Sequence, residues 1–351
     1  NPKVTFLNHS SFSIEDEENL TLVDPWYFGK IFNNSWSLLK DTDDSEINYS
    51  KLKYISISHE HPDHLHWATL KHIRQKTDND LFIIYPKRNN PNVKEACQKL
   101  GYKFGYIDYF VETKITENYS ITAFPEGHDS ALVYRVGDKV IVNQNDAYLN
   151  DNTLQHLKRM FPNIDLWLSQ FSLAGYYGNS TDPETIKQNG TQWHIDKFLY
   201  YQDFLKPKMS VPFASYVYFC KQYNDYINDY AVDLNDIINK SKYQTQIPFY
   251  NQEGDVVAAQ GRALNMQDEK NARSTAKYLT VKTDKSADRL WYGQWRVNPK
   301  KRIYIVEGPL DSLFIPNTIA MVGAGALDQI PTHLSESEGV YVLDNEPRNA
   351  Q

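Results

Sequence analysis

The chain has 351 residues, a formal net charge of −7 and two cysteines. Its length accommodates two domains, the acidic balance gives no basic field for nucleic acid, and two cysteines exclude both a disulfide framework and a cysteine-ligated cluster. The 25 tyrosines and 7 tryptophans suit a sugar- or nucleotide-facing surface and a tyrosine-rich core equally well. No apolar stretch reaches membrane-spanning length and no secretory leader is visible. A cytoplasmic protein without a membrane partner is therefore expected.

In chain order, Val4–Ile14 reads as a strand, Glu15–Asn19 as a turn, and Leu20–Val23 as a second strand ending at Asp24-Pro25. Lys53–Ser58 is rich in aromatic and β-branched residues and reads as a strand. Leu65–Lys76 reads as a helix. Between them runs Ser56–His66, SISHEHPDHLH, with four histidines and one aspartate in eight positions. These side chains sit on a strand-to-helix turn, where His59 and His61 project together if extended geometry persists. Asp63 and His64 then face a second point nearby. Neutral imidazoles beside carboxylates suit Zn²⁺, Fe or Mn, and two close ions make a dinuclear centre.

Farther on, Leu81–Pro86 reads as a strand and Asn92–Leu100 as a helix closed by Gly101, with Cys97 a buried free thiol. Lys103–Phe110 and Tyr119–His128 follow as strands. Ser130–Val142 reads as a hairpin with Gly137-Asp138 at its turn, delivering Asp146 at its exit. Asn152–Met160 is a helix, Ile164–Phe171 a strand and Asn189–Leu205 a helix, before Lys208–Tyr216. Such alternation points to an α/β protein with two sheets sandwiched between helices.

The spacing His-x-His-x-Asp-His resembles the signature of the metallo-β-lactamase fold, and the strand ending at Asp24, His128 in FPEGHD and Asp146 in VNQNDA match further points of that pattern. The resemblance implies an αββα sandwich holding one or two ions, Zn²⁺ or Fe/Mn. His59, His61 and His128 would ligate the first ion, and Asp63, His64 and Asp146 the second. Asp63 would position the attacking water or take its proton. Asp24 reads as a carboxylate orienting a ligand histidine or as a turn former before Pro25. His9 reads as a pocket residue or a hydrogen-bonded loop histidine. The family's last histidine has no counterpart in Val211–Ser215, and His66 or His194 is the candidate substitute.

Four stretches, 23–39, 54–73, 166–180 and 205–219, resemble the CMP-N-acetylneuraminate hydroxylase family over most of residues 4–230. That family joins a Rieske domain to its metallo-β-lactamase-like domain. A Rieske centre needs paired Cys and His motifs, which the two cysteines here do not supply. The leading expectation is a hydrolase acting on a nucleotide sugar or other phosphorylated small molecule. The alternative is a monooxygenase component that takes electrons from a separate Rieske partner.

Past Lys240 the character changes. Ile247–Leu264 reads as a hairpin around Glu253-Gly254-Asp255, and residues 265–298 are polar. A buried strand then ends in Glu307-Gly308, and a later one ends in Asp344-Asn345-Glu346. Carboxylates at neighbouring strand ends can share Mg²⁺. This part resembles the Toprim domain of bacteriophage T4-type DNA primases, with Glu307, Asp344 and Glu346 at its acidic positions. The family's later acidic motif and its zinc module are missing, so an intact primase is not expected. Nucleic-acid chemistry through this part is the third reading. The expected division is 1–240, a metallo-β-lactamase-fold domain, and 241–351, a partial Toprim-like segment. A natural fusion, a chimera and a mis-joined reading frame fit the junction alike.

Overall fold

The computed structural model describes residues 2–45, 47–88, 91–176, 181–240, 246–250, 256–262, 278–282, 291–294, 297–306, 312, 315, 317–321, 334 and 339–342. The chain divides into two compact units, 1–241 and 242–351.

In the first unit, β1 (Lys3–Asn8), β2 (Ser11–Glu15) and β3 (Leu20–Val23) form an antiparallel meander. The continuous strand expected over Val4–Ile14 is in fact this β1–β2 hairpin. The chain reverses at His9, whose φ of 32° is left-handed and whose N–H is held by Asn8 Oδ1 at 3.0 Å. Short β4 (Lys30–Ile31) and β5 (Trp36–Leu38) follow. Next come β6 (Leu52–Ser56), α1 (Trp67–Lys76), β7 (Phe82–Pro86), α2 (Pro91–Lys99) and β8 (Lys103–Ile107). They extend the first sheet in parallel, in the order β1-β2-β3-β6-β7-β8.

The second sheet opens with β9 (Thr113–Lys114), β10 (Tyr119–Glu126), β11 (Asp129–Val136) and β12 (Lys139–Asn145), all antiparallel. Helix α3 (Asp151–Met160) leads to β13 (Leu166–Gln170). The one-turn α4 (Pro183–Ile186), a π-helical stretch Lys187–Gln192 and α5 (Trp193–Leu205) lead to β14 (Met209–Phe213). Here β12, β13 and β14 are parallel neighbours. Strand β15 (Val217–Phe219) pairs with β5, and α6 (Leu234–Lys240) closes the unit. The helix expected to start at Asn189 thus begins as a π-helix. Gly190 packs there so closely that a Cβ would stand 2.6 Å from Leu173 Cδ2.

Strand alternation builds the layers. Leu132, Tyr134 and Ile141 face Phe12, Val23 and Ile84 of the first sheet. Val133, Val140 and Val142 point the other way, onto Leu154, Phe198 and Ile237 of α3, α5 and α6. The outer face of the first sheet packs on Leu70 and Ile73 of α1 and Val93 and Cys97 of α2. The result is helix, sheet, sheet, helix, the expected αββα sandwich.

In the second unit, β16 (Gln246–Tyr250), β17 (Val256–Arg262) and β18 (Tyr278–Lys282) form an antiparallel sheet. A four-stranded sheet has the order β19 (Trp291–Tyr292), β21 (Thr318–Met321), β20 (Ile303–Val306), β22 (Gly339–Val342), with β20 parallel to β21 and β22. The expected strands before Glu307 and Asp344 are therefore parallel neighbours. Glu307, Asp344 and Glu346 lie outside the described residues. Among the described residues, every sheet draws its strands from one unit.

Candidate metal centre

Histidine and carboxylate side chains converge where β3, β6 and β12 end and where β10 turns into β11. The loop from β6 to α1 carries His59, His61, Asp63 and His64, and its fold is fixed by Asp24. That carboxylate is fully buried. It accepts from the Ser58 N–H and the Ser58 hydroxyl, each at 2.7 Å, and its Oδ2 lies 2.9 Å from His64 Nδ1. Burial raises the Asp24 pKa against the opposing pull of His64 and Ser58. With Nδ1–H donated to Asp24, Nε2 is the His64 nitrogen left to face Asp146 and Asp63. Against the opposing effect of burial, these carboxylates and Asp24 raise the His64 pKa well above its ordinary value. An ion at that point would replace the Nε2 proton. Asp24 therefore stands where a carboxylate orienting His64 would.

Two groups of donors result among the described residues, His59, His61, Asp129 and Asp146 in one and Asp63, His64 and Asp146 in the other. Within each, the donor atoms lie within 4.8 Å of one another. Asp146 belongs to both, with Oδ2 at 3.7 Å from His59 Nε2 and Oδ1 at 3.3 Å from His64 Nε2. Asp129 Oδ1 stands 3.5 Å from both His59 Nε2 and His61 Nδ1. Asn145 aims Asp146: at a left-handed φ of 46° it accepts from the Asp146 N–H at 2.7 Å and donates to the Ser130 carbonyl at 2.9 Å.

His128 is not among these groups, contrary to the expectation that it supplies the third imidazole. Gly127, at φ 57°, and His128 form a two-residue turn between paired Glu126 and Asp129. The turn leaves His128 exposed and makes Asp129 the first residue of β11. The other predicted residues fall as follows. His9 is buried, with Nε2 3.2 Å from Asp63 Oδ2, and Ser10 Oγ donates to the Asp63 carbonyl at 2.7 Å. His66 caps α1 through Thr69, its Nδ1 2.8 Å from Thr69 Oγ1. His194 Nδ1 lies 2.8 Å from the Gly190 carbonyl, apart from both donor groups. Neither supplies the missing last ligand. Ala214 instead donates its backbone N–H to the His9 carbonyl at 3.0 Å.

The electrostatics of the cluster call for a cation. Asp63 Oδ1, Asp129 Oδ1, Asp146 Oδ1 and His64 Nε2 are buried without a hydrogen-bond partner. The ion-pair partners of the three aspartates are all histidines. Burial, helped by His64, pushes His59 down to about 3, the neutral form a ligand needs. Burial and the neighbouring Asp146 push Asp129 up to about 6. Burial works against ionisation of Asp63 and Asp146, yet His64 holds both below the usual carboxylate range. Buried anions without full compensation are costly, and divalent ions at the two points satisfy the orphaned donors and the charge together. The residues fit one or two ions. Tyr148, not anticipated from sequence, adds a buried hydroxyl without a partner, its ring 4.9 Å from that of Trp193.

The sequence model of the beta-lactamase superfamily domain matches residues 3–158. Those residues, less than half of the chain, are similar to that domain. Over 265 residues the chain is 24% identical to the cytidine monophosphate-N-acetylneuraminic acid hydroxylase of Danio rerio, covering 69% of this chain and 44% of the relative. A putative Rieske 2Fe-2S iron-sulfur protein of Mycolicibacterium smegmatis is 28% identical over 204 residues, 50% of this chain and 35% of the relative. The DNA primase of Enterobacteria phage T4 is 41% identical over 103 residues, 29% of this chain and 27% of the relative. The chain thus spans less than half the length of each. Both resemblances read from the sequence, to the hydroxylases over much of the chain and to the primase over a small segment, are found again here. No helix among the described residues is long and apolar enough to cross a membrane.

Proposed function

We propose that residues 1–241 form the metal-dependent domain of a hydroxylase-type enzyme acting on a nucleotide-linked sugar, with electrons delivered by a separate Rieske protein. The observation that carries this reading is Asp129. With a carboxylate in place of a third imidazole, the first donor set has two histidines and two aspartates. Oxygen-rich sets of this kind suit iron or manganese, whereas three-histidine sites suit zinc. The names of the hydroxylase and Rieske relatives support the same class and the substrate. Bound ions would supply Lewis acidity and, as iron, the capacity to activate O₂.

The chain's own residues hold and orient. His59, His61 and Asp129 would hold the first ion and Asp63 and His64 the second, with Asp146 available to either. Asp24 keeps His64 in its ligand tautomer, and His9 steadies Asp63. The balanced reaction inserts one oxygen atom of O₂ into a C–H bond, and two electrons and two protons reduce the other to water. The test is incubation of the Fe²⁺-loaded protein with CMP-N-acetylneuraminate, O₂ and a reduced Rieske protein. A product one oxygen atom heavier, absent without the electron donor, is expected.

A second reading, hydrolysis, is supported by the Asp63–His64–Asp146 group, whose donors could hold an ion beside the first, with Asp63 available to position or deprotonate an attacking water. Cleavage of the nucleotide sugar in the absence of an electron donor would select it and refute the first.

We further infer that the domain boundary lies near Ser241, so that limited proteolysis between Asn239 and Thr245 releases a metal-binding N-terminal fragment. For residues 245–351 we infer a DNA-primase-derived Toprim segment with Glu307, Asp344 and Glu346 as its Mg²⁺ site. Mg²⁺-dependent DNA binding that weakens with salt would support this.

A further inference from the structure

We propose that Arg88 is a positioning residue for the first ion site, tying the turn that presents Asp129 to the loop that presents His59 and His61. The inference rests on the metal-centre reading and extends it to a residue that contributes no ligand atom. Arg88 follows β7, and its side chain is only 10% exposed. One guanidinium nitrogen donates to the His128 carbonyl in the hairpin turn, and the other donates to Ser130 Oγ at 2.8 Å. These two groups flank Asp129 in sequence. The same guanidinium stands 3.9 Å from Glu60, the residue between His59 and His61. Glu60 is itself held by the Tyr85 hydroxyl.

Three of the four donors of the first site are therefore mounted on two segments joined by one buried cation. Ser130 extends the bracing, since its carbonyl accepts from Asn145, the residue that aims Asp146. The planar fork of arginine reaches a carbonyl and a hydroxyl at once, which a lysine ammonium on its flexible stem cannot reproduce. The second donor group is supported differently, by Asp24 on His64 and by His9 and Ser10 on Asp63. Loss of Arg88 should consequently separate the two sites.

The experiment is a Co²⁺ titration of the full chain, followed by its visible absorption, for wild type, Arg88→Lys, Arg88→Ala and Asp129→Ala. Thermal unfolding of each metal-free protein is measured alongside. Wild type is expected to take two ions and Asp129→Ala to lose the first. In Arg88→Ala the first-site affinity falls roughly 10- to 100-fold, the usual cost of removing a partner that orients a ligand. The second-site affinity falls by less than the first, only through the shared Asp146, because the supports of Asp63 and His64 are untouched. Arg88→Lys, which keeps the charge, also weakens the first site more than the second. Equal weakening of both sites with a lowered metal-free unfolding temperature would make Arg88 a general structural residue and overturn the proposal. So would unchanged binding at both sites. A wild-type protein that takes no ion would sink the metal-centre reading, and the role of Arg88 with it.

Discussion

Asp24→Asn probes how the site is held without altering any ligand atom. Asp24 Oδ1 accepts from the Ser58 N–H at 2.7 Å, while Oδ2 faces His64 Nδ1 at 2.9 Å. An asparagine that keeps its carbonyl toward Ser58 turns its NH₂ toward His64. The NH₂ can be accommodated only by an Nδ1 lone pair, so the proton moves to Nε2 and His64 ceases to be a ligand. The flipped amide points a donor at the Ser58 N–H and leaves that buried group unpaired, which costs about 1–3 kcal/mol. Either orientation penalises the bound form. Second-ion affinity should fall about 10- to 100-fold, equivalent to about 1.4–2.7 kcal/mol. Competition against a chromophoric chelator measures it directly. A loss smaller than about threefold would refute the assignment of Asp24 as the group that sets the His64 tautomer.

Other outcomes follow from the same structure. His128→Ala should leave metal binding unchanged whereas Asp129→Ala removes one ion, as read by elemental analysis of the purified variants. Gly190→Ala forces a Cβ against Leu173 Cδ2 and should cost about 1–3 kcal/mol in a denaturant titration, the usual scale of overpacking. Glu112 is held below its ordinary pKa first by the Arg135 hydrogen bond at 2.6 Å and also by Ser120. Its stabilisation is fully present above the unfolded value of about 4.3 and is lost as pH falls through the lower folded value. The unfolding-temperature difference between wild type and Glu112→Gln should therefore be constant near neutrality and vanish in acid.

How much of the site was legible depended on how local each residue's placement is. His59, His61, Asp63 and His64 lie in one short loop between a strand and a helix, so spacing alone brings them together. Asp146 follows the hairpin whose strands were readable by alternation, and the match to a family pattern located it. Asp129 escaped because a one-residue difference in turn length decides which side chain enters the sheet. The two-residue turn at Gly127-His128 pairs Glu126 with Asp129, and Gly127 at a turn position was the available signal. The β1–β2 reversal was hidden for a related reason: alternation runs through Val4–Ile14 on both sides of it, and only His9 adopts the left-handed backbone. Arg88 is distant in sequence from the motif, and only tertiary packing places it beside Glu60.

Three histidines and three aspartates would together hold two ions, with Asp146 common to both donor groups. The most direct test is the metal content of the full chain, purified without chelator and reconstituted with Fe²⁺ or Mn²⁺, compared with the His59→Ala/His61→Ala double variant. The account predicts about two ions per wild-type chain and about one in the double variant, with Asp63, His64 and Asp146 retaining theirs. Equal metal content in the two proteins would contradict it.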